Sequence, residues 1–166
     1  MKVNIALLTV TDTRTIDNDK SGSILVKKIN EANHNLIERK ICKDNKDDII
    51  LILREWLKNN LIDVIITTGG TGLTGRDITP EALDEIADKH IPGFGEIFRY
   101  LSLKTVGTSS IQSRACAVLA NGKYIFALPG SSGGVIDAWD GILKYQLDIN
   151  NKPCNFIELL PRLKEK

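Results

Sequence analysis

Three acidic residues are spaced along the chain so that they could form one metal site. Asp12, Asp44 and Asp77 each lie a little beyond the end of an apolar segment that predicts a strand. If those strands are parallel, their carboxyl ends meet at one edge of the sheet, and all three carboxylates reach that edge. Mg²⁺ is usually held in proteins by one or two carboxylates together with substrate phosphates. Each residue alone is better explained as a cap or turn residue, but the three together modestly favour a metal–phosphate site.

A glycine-rich segment, residues 69–75, lies next to Asp77. Three of its first four residues are glycine, so its backbone can adopt positive φ angles and bring several amide groups close to a ligand. Such a group of amides suits an anion, and the helix predicted from residue 79 adds its positive end nearby. Composition alone leaves two interpretations equal: an anion-binding loop, and a tight turn that uses glycine for its conformation.

The same segment matches the dinucleotide-binding pattern G-x-G-x-x-G at Gly70, Gly72 and Gly75. That pattern should follow the first strand and open directly into a helix. Here it follows the third predicted strand, and Pro80 interrupts any helix. No Gly-Lys-Ser/Thr follows, which excludes a P-loop. A nicotinamide-cofactor protein is therefore a weak interpretation, and the absence of stabilisation by NAD would dismiss it.

A second glycine-rich segment, residues 129–134, leads into a helix predicted to start at Val135. Its backbone amides and hydroxyl groups could hold an anionic group at the start of that helix. The alternative is that Ser131 or Ser132 caps the helix by accepting from its free amides. The two roles are compatible.

The composition predicts a globular protein without a nucleic-acid or membrane partner. The chain has 166 residues and a net charge of +1, which leaves no basic field to hold a nucleic-acid backbone. Aromatic residues are only 5%, which argues against a platform for base stacking. No apolar run has the length of a membrane span. The three cysteines are far apart, which predicts reduced thiols in a cytoplasmic protein and no zinc site. Arg14, Lys43 and Lys46 are expected to be solvated, although each could neutralise a phosphate.

Apolar segments alternate with amphipathic ones, which predicts a parallel sheet covered by helices on both faces. Asn121 and Gly122 separate two further apolar segments and predict an antiparallel hairpin at one side of that sheet. The predicted strands are residues 3–10, 36–42, 62–68, 115–120 and 123–128. The predicted helices are residues 23–33, 46–58, 79–89, 95–103 and 135–147. We expect one domain over residues 1–166, with residues 148–166 as a C-terminal tail.

Several segments resemble one known family. Residues 68–82, TGGTGLTGRDITPEA, resemble the signature of the MoaB/Mog family of molybdenum cofactor biosynthesis proteins. Residues 93–99 and 108–114 resemble the next two blocks of that family, and residues 128–131 match it too. The tail segment 153–156 resembles the MoaB branch. The similarity covers nearly the whole chain, and the motifs together are highly specific.

The resemblance implies a three-layer α/β fold, with a mostly parallel sheet, an antiparallel hairpin and helices on both faces. It implies a homotrimer or homohexamer that binds molybdopterin, a pterin dithiolene carrying a phosphate. Active members transfer AMP from MgATP to that phosphate, release pyrophosphate, and work with other proteins of the molybdenum cofactor pathway. By motif, Asp44 and Asp77 carry over as catalytic and Mg²⁺-binding. The substrate-binding residues carried over are Thr11, Asp12, Gly69, Gly70, Thr71, Gly72, Glu81, Gly130 and Ser131.

Two other functions are compatible with this resemblance. The MoaB branch includes chains that bind or carry the pterin without adenylylating it, although the presence of Asp44 and Asp77 favours activity. Related domains also occur in larger proteins that bind partner peptides, but this chain shows no second domain, which makes an interaction module less favoured. The adenylyltransferase is the interpretation that the motifs favour most.

Overall fold

A six-stranded mixed sheet is the centre of the fold in the computed structural model, which describes residues 1–165. The strands are β1 (Asn4–Val10), β2 (Asn35–Cys42), β3 (Val64–Thr68), β4 (Lys89–His90), β5 (Cys116–Ala120) and β6 (Lys123–Leu128). Their order is β2-β1-β3-β6-β5-β4. The first four of these pair in parallel, and β5 is antiparallel to both β6 and β4. The mostly parallel sheet is confirmed.

The predicted hairpin is also confirmed. Asn121 and Gly122 connect β5 to β6, and both have positive φ angles, of 47° and 71°. A two-residue hairpin turn with both central φ angles positive matches the twist of the flanking strands, which is why Asn-Gly predicts it. The hairpin places β6 inside the sheet beside β3, and β5 towards the edge.

Helices cover both faces of the sheet, as the three-layer prediction requires. The helices are α1 (Lys20–Glu31), α2 (Lys46–Lys58), α3 (Thr79–Ile86), α4 (Pro92–Val106), α5 (Ser132–Ala138), α6 (Lys144–Gln146) and α7 (Phe156–Leu159). A π-helical turn, Trp139–Leu143, joins α5 to α6. Buried residues of α1, α4 and α5 pack on one face with Ile5 and Leu7 of β1. Those of α2 and α3 pack on the other face with Ala6 and Leu8.

The parallel strands end together, which defines one edge of the sheet. Thr9 of β1 is level with Thr68 of β3, and Thr68 is level with Leu128 of β6. The loops that follow these strands therefore start from neighbouring points. These three strands are largely apolar and are buried on both faces, since both faces are covered by helices.

The element bounds differ from the prediction in the middle of the chain. The helix expected over residues 79–89 ends at Ile86, and Lys89–His90 instead forms β4, paired with β5. The Asp88 amide donates to the Leu119 carbonyl at 2.7 Å, so pairing with the free edge of β5 overrides the helical pattern. The helix expected over 95–103 extends over Pro92–Val106, and a 3₁₀ helix, Gly107–Gln112, follows it without having been predicted.

The C-terminal tail packs against the sheet rather than leaving it. Ile157 is buried, and the Phe156 ring lies 4.7 Å from the Tyr124 ring. The Tyr124 hydroxyl donates to the Phe156 carbonyl at 3.1 Å. Residues 148–165 therefore help to cover the face on which α1, α4 and α5 lie.

Candidate functional site

A cavity of about 850 Å³ opens at the carboxyl ends of β1, β3 and β6. Three loops form one side of it: residues 10–14, the first glycine loop (residues 69–77) and the second glycine loop (residues 129–134). The end of α4 and the 3₁₀ helix after it form the other side. A ligand cavity at this edge is the arrangement expected of an open parallel sheet.

The conformation of the first glycine loop requires glycine at its start. Gly69 and Gly70 have φ angles of +102° and +65°. The Thr79 hydroxyl donates to the Gly69 carbonyl at 2.9 Å, and the Thr79 amide donates to the Gly70 carbonyl at 3.0 Å. A Cβ atom on Gly69 would lie 2.1 Å from the Val10 carbonyl oxygen, and one on Gly70 would lie 3.0 Å from Asp44 Oδ1. The loop therefore packs against β1 and Asp44 only because these positions carry no side chain.

Asp44 and Asp77 both line the cavity, Asp44 beside Gly70 and Asp77 beside Gly72. A Cβ atom on Gly72 would lie 2.7 Å from Asp77 Oδ2, just as one on Gly70 would meet Asp44. Burial, and then the negative charge of Asp77, raise the pKa of Asp44 above its usual value. The structure thus brings together the two carboxylates that the sequence singles out.

Asp77 is also tied into its own loop. The Thr74 amide and hydroxyl donate to Asp77 Oδ2 at 2.9 and 2.7 Å. Partial burial acts to raise the pKa of Asp77, but these hydrogen bonds, one from Gly72 and the charge of Arg114 outweigh it, so the pKa lies below its usual value. Asp77 is the better stabilised anion of the two carboxylates.

Asp12 lies beside the cavity rather than on its wall. Asp12 Oδ1 accepts from the Asp44 amide at 3.2 Å, and its other oxygen forms an ion pair with Arg76. Thr11, the residue before it, does line the cavity. The geometry therefore lets Asp12 hold the loop that carries Asp44, whereas a contact of Asp12 with substrate stays a prediction.

Glu81 also lies off the cavity wall, where Arg114 binds it. The Arg114 guanidinium forms an ion pair with Glu81, donates to the Gly72 carbonyl at 2.7 Å and donates to the Asp77 carbonyl at 2.9 Å. The Arg114 amide donates to the Thr71 carbonyl at 2.9 Å. Burial acts to raise the pKa of Glu81, but the bond and charge of Arg114 bring it below its usual value. Arg114 therefore fixes the first glycine loop.

The role of Arg114 was not predicted from sequence. It is far along the chain from the loop that it binds, and no local pattern indicates such a contact. The only available signal is its position within residues 108–114, one of the segments that resemble the family. The predicted role of Glu81 as a substrate contact stays a prediction.

The second glycine loop is held partly by its own serine. Ser131 Oγ accepts from the Gly134 amide at 3.1 Å and caps α5, which confirms the capping interpretation. Arg14 donates to the Gly130 carbonyl at 3.0 Å, and Thr68 Oγ1 donates to the Pro129 carbonyl at 2.8 Å. Gly130 and Ser131 both line the cavity, so capping and ligand binding remain compatible.

The opposite side of the cavity carries residues that the sequence analysis missed. Thr105 Oγ1 donates to Asp137 Oδ2 at 2.9 Å and joins α4 to α5 across this side. The 3₁₀ helix adds further polar groups. The segment 108–114 resembles the family, but its polar residues were given no role in the site, because the 3₁₀ helix that places them was not predicted. The polar cavity residues concerned are Thr105, Ser109, Ser110, Gln112 and Asp137.

Other predicted features can be checked within residues 1–165. The pattern at Gly70, Gly72 and Gly75 does not open into a helix, since α3 starts at Thr79, which agrees with its rejection as a dinucleotide fingerprint. Among residues 1–165, no group of three or more His, Cys, Asp or Glu side chains is placed to hold a metal ion. No helix in this part of the chain is long and apolar enough to cross a membrane. Burial raises the pKa of Cys42 to about 12, as expected of an unreactive thiol.

Fold and cavity together define an α/β protein with a ligand cavity at the carboxyl edge of its parallel strands. A family model described as "Probable molybdopterin binding domain" matches residues 6–148. Its match ends where the sequence predicts the C-terminal tail to begin. The chain belongs to the MoaB/Mog family of molybdenum cofactor biosynthesis proteins and is a molybdopterin-binding domain protein of the MoaB type.

Individual relatives agree with this assignment. The chain is 43% identical over 152 residues to molybdenum cofactor biosynthesis protein B of Escherichia coli K12, covering 92% of this chain and 89% of that protein. It is 44% identical over 149 residues to the protein of the same name from Staphylococcus aureus MRSA252, covering 88% of each.

Solved structures give the same result. A crystal structure of molybdenum cofactor biosynthesis protein B superposes with a TM-score of 0.90 and 35% identity, covering 100% of this chain and 98% of that one. The tungsten cofactor synthesizing protein MoaB from Pyrococcus furiosus superposes with a TM-score of 0.77 and 33% identity, covering 86% and 91%. The predicted family and fold are both confirmed.

Proposed function

We propose that the protein binds molybdopterin in the cavity and adenylylates its phosphate with MgATP. The observation that carries this proposal is the pair of carboxylates, Asp44 and Asp77, that line the cavity beside Gly70 and Gly72 of the first glycine loop. A glycine-rich loop offers backbone amides to a phosphate, but two carboxylates beside it repel one. A bound cation removes that conflict, and adenylyl transfer from ATP is a reaction that uses such a cation.

The residues of the cavity fit Mg²⁺. Asp44 and Asp77 would hold it, and the hard oxygen ligands of a carboxylate pair are those that Mg²⁺ prefers. Because Mg²⁺ keeps several water and phosphate ligands, two protein carboxylates are enough, and a third acidic ligand within residues 1–165 is not required. Burial, and then repulsion from Asp77, raise the pKa of Asp44, and a divalent cation would relieve the repulsion. When bound, the ion neutralises charge on the phosphates of ATP.

The reaction leaves little covalent chemistry to the protein. An oxygen of the molybdopterin phosphate attacks the α-phosphorus of ATP, a new P–O–P link forms, and the bond to pyrophosphate breaks. The Gly69 amide donates to the Leu128 carbonyl at 3.0 Å, so the amides of Gly70 and Thr71 orient the pterin substrate, and those of Gly130 and Ser131 bind phosphate oxygens. Such positioning and charge neutralisation are the main contributions of proteins to phosphoryl transfer.

The proposal includes self-association. Ile97, Tyr100, Leu103 and Val106 leave an apolar stripe exposed along α4, which suits a second copy of the chain. Val106 also lines the cavity, so assembly on this stripe would border the site. Light scattering should give a trimer or hexamer, and Tyr100→Glu should shift it towards the monomer. Other pathway proteins as partners, a cytoplasmic location and a single domain over the whole chain stay predictions.

A turnover assay tests the enzyme directly. Purified protein, molybdopterin, ATP and Mg²⁺ should yield adenylylated pterin and pyrophosphate, and EDTA should stop the reaction. Asp77→Asn should reduce turnover at least about 100-fold, since removing one preorganised charge at a phosphoryl-transfer site costs that much, while molybdopterin binding remains largely intact. Asp17 is an exposed carboxylate outside the cavity, so Asp17→Asn is the matched control and should leave turnover unchanged. Loss of binding in Asp77→Asn would indicate a substrate-holding role instead.

A non-catalytic carrier is the second candidate, and one observation favours it. Asp77 Oδ2 already accepts two hydrogen bonds from Thr74, as a carboxylate with a purely structural turn role would. A carrier would bind molybdopterin with the same affinity in the presence and absence of Mg²⁺ and would form no product with ATP. Magnesium-dependent product from the wild-type chain would dismiss this candidate.

A further inference from the structure

The cavity has an unbalanced set of charges. Within residues 1–165, the ionisable side chains that line it are Asp44, Asp77, Asp137 and Arg14. Three carboxylates therefore surround a site that, on the proposed function, must accept a phosphate-bearing ligand. A phosphate that binds among carboxylates needs cationic partners, because its negative charge and those of the carboxylates repel each other. Mg²⁺ held by Asp44 and Asp77 would supply one positive centre, and the guanidinium of Arg14 is the protein's own.

The other basic residues near this edge are occupied elsewhere. Lys46 forms an ion pair with Glu85 at 2.9 Å, and Arg76 forms one with Asp12. Neither residue lines the cavity, and nor does Lys43. The structure thus separates three residues that the sequence left equal, since of Arg14, Lys43 and Lys46 only Arg14 faces the site.

Arg14 is fixed in place while part of its guanidinium stays available. Its Nη1 atom donates to the Gly130 carbonyl at 3.0 Å and to Ser21 Oγ at 3.2 Å, so it joins the loop after β1 to the second glycine loop. Both bonds use the same nitrogen, and the side chain remains 38% exposed. A guanidinium has five N–H donors, so those on Nε and Nη2 remain for a ligand. Planar paired donors of this kind match two oxygens of one phosphate.

A buried carboxylate lies behind Arg14. The Asp19 side chain is fully buried and accepts from Thr9 Oγ1 at 2.6 Å and from Arg39 Nη2 at 3.0 Å. It also caps α1 by accepting from the Gly22 amide at 3.0 Å. Arg14 Nη1 lies 4.0 Å from Asp19, further away than Arg39. Arg39 therefore takes the short contact with the carboxylate, and Arg14 keeps its charge directed at the cavity.

We propose that Arg14 binds a phosphate group of the ligand in the cavity, and that Asp19 is the positioning residue that aims it. This inference rests on the proposed function and adds a residue to that site. The phosphate belongs either to molybdopterin or to ATP, and both sources present the same chemistry to a guanidinium. Gly130, which shares Arg14 with the ligand, would then be held in register with the bound phosphate.

Binding measurements separate the two sources. Molybdopterin and MgATP are each titrated into wild-type protein and into Arg14→Gln, with heat or intrinsic fluorescence as the readout. The affinity for one of them should fall about 10- to 100-fold, as expected for loss of a charge-assisted bidentate contact. A loss for molybdopterin identifies the pterin phosphate as the partner of Arg14, and a loss for MgATP identifies the nucleotide. Arg14→Lys should retain part of the affinity, because it keeps the charge and loses the paired donors.

Two controls distinguish recognition of the phosphate from a general effect. Arg54→Gln removes the same charge from an exposed position on α2, outside the cavity, and should bind both ligands as the wild type does. Dephosphorylated molybdopterin should bind wild-type protein and Arg14→Gln equally if the pterin phosphate is the partner. If ATP supplies the phosphate, adenosine is the phosphate-free probe, and it should bind wild-type protein and Arg14→Gln equally.

The positioning role of Asp19 requires a double-mutant cycle. Asp19→Asn should lower the same affinity several-fold in the wild-type background and leave it unchanged in Arg14→Gln, because it acts only through Arg14. If this buried substitution prevents folding, Ser21→Ala removes the neighbouring contact with Nη1 and takes its place. An equal loss in both backgrounds would overturn the positioning role.

The outcomes for Arg14 are also distinct from those for the proposed function. If wild-type protein binds molybdopterin or MgATP and Arg14→Gln binds both with unchanged affinity, the inference is overturned and the proposed function stands. If wild-type protein binds neither ligand, the proposed function fails and the inference fails with it.

Discussion

The two glycine loops meet at the same edge of the sheet, but only the second has a local cap on its helix. The Ser131 side chain caps the Gly134 amide, and Arg14 and Thr68 add contacts to the Gly130 and Pro129 carbonyls. The first loop is fixed from a distance, by Arg114 bonding to Gly72 and Asp77 and by Thr79 bonding to Gly69. A local cap costs little to lose, whereas a loop held by remote contacts depends on the whole fold around it.

Gly69 and Gly133, one from each loop, differ in backbone conformation and in the space that a Cβ atom would have. Gly69 has a φ angle of +102° and lies against the backbone of β1, so that a Cβ atom there would meet the Val10 carbonyl oxygen at 2.1 Å. Gly133 lies in the first turn of α5, and a Cβ atom there would meet nothing within 4 Å. Gly69 is therefore a position that only glycine fits, whereas Gly133 is not.

The largest effect should come from Gly69→Ala. The positive φ angle and the contact with a backbone oxygen that cannot move aside should together cost about 3 kcal/mol of unfolding free energy. Urea denaturation measures this loss, and molybdopterin titration should show that binding is lost with it. The matched change in the second loop, Gly133→Ala, should be neutral or stabilise by up to about 0.5 kcal/mol, because alanine is the better helix residue. Equal costs at the two positions would refute the contrast between the loops.

Substitution of Arg114 should have the next largest effect. Arg114→Gln removes the two hydrogen bonds to backbone carbonyls of the first loop and leaves Glu81 without its ion pair. Because both side chains are partly exposed, we expect a loss of about 2 kcal/mol rather than the larger cost of a fully buried pair. Hydrogen exchange should speed up at the amides of residues 69–77 and stay unchanged in residues 129–134. Exchange that rises equally in both loops would mean that Arg114 supports the fold as a whole.

The same difference explains how much of this molecule could be predicted from sequence. The cap by Ser131 or Ser132, the Asn121–Gly122 hairpin and the apolar strands depend on local chemistry. The hairpin and these strands were predicted correctly, and the cap is the first of the two serines. Pairing of Lys89 and His90 with β5 depends on a strand that lies almost thirty residues further along the chain. Because these two residues pair with the edge of β5, α3 ends at Ile86, although the helical pattern of the sequence continues to residue 89.

The candidate site shows the same difference between what local motifs predict and what tertiary contacts decide. Nine of the residues carried over by motif line the cavity, because a motif records a loop and its neighbours together: Thr11, Asp44, Gly69, Gly70, Thr71, Gly72, Asp77, Gly130 and Ser131. Asp12 and Glu81 bind Arg76 and Arg114 beside it. Which carboxylate faces the cavity and which faces an arginine is decided by tertiary contacts, and no spacing in the sequence encodes that choice.

Loss of the local cap should have a moderate effect. Ser131→Ala leaves the Gly134 amide without its side-chain acceptor and should lower the unfolding free energy by about 1 kcal/mol, the usual cost of an N-cap. Thermal unfolding measures it, with Ser131→Asp as the rescue, since aspartate caps equally well. Ser132→Ala, one residue further on, should change stability by less than about 0.5 kcal/mol. If Ser132→Ala costs as much as Ser131→Ala, the loop is not held by this cap.

The smallest effect on stability should come from Asp44→Asn, and its sign is the opposite of the others. Burial and repulsion from Asp77 raise the pKa of Asp44 in the folded protein. The folded state therefore binds this proton more tightly than the unfolded state does, and ionisation destabilises the fold. The penalty grows as the pH rises from the unfolded value of about 3.9 through the raised pKa, and it is complete above that. Asparagine avoids the penalty, so the variant should be slightly more stable than wild type at pH 7.

Two measurements decide whether that penalty belongs to a metal site. The stability advantage of Asp44→Asn should disappear as the pH falls below about 4, where the wild-type carboxyl group is also neutral. Addition of Mg²⁺ at pH 7 should raise the melting temperature of the wild-type protein and leave that of Asp44→Asn unchanged, because a cation between Asp44 and Asp77 relieves the same repulsion. The variant should also lose turnover, so that one carboxylate weakens the fold and serves the reaction. An equal response of both proteins to Mg²⁺ would place the ion elsewhere and leave the first glycine loop without its proposed metal.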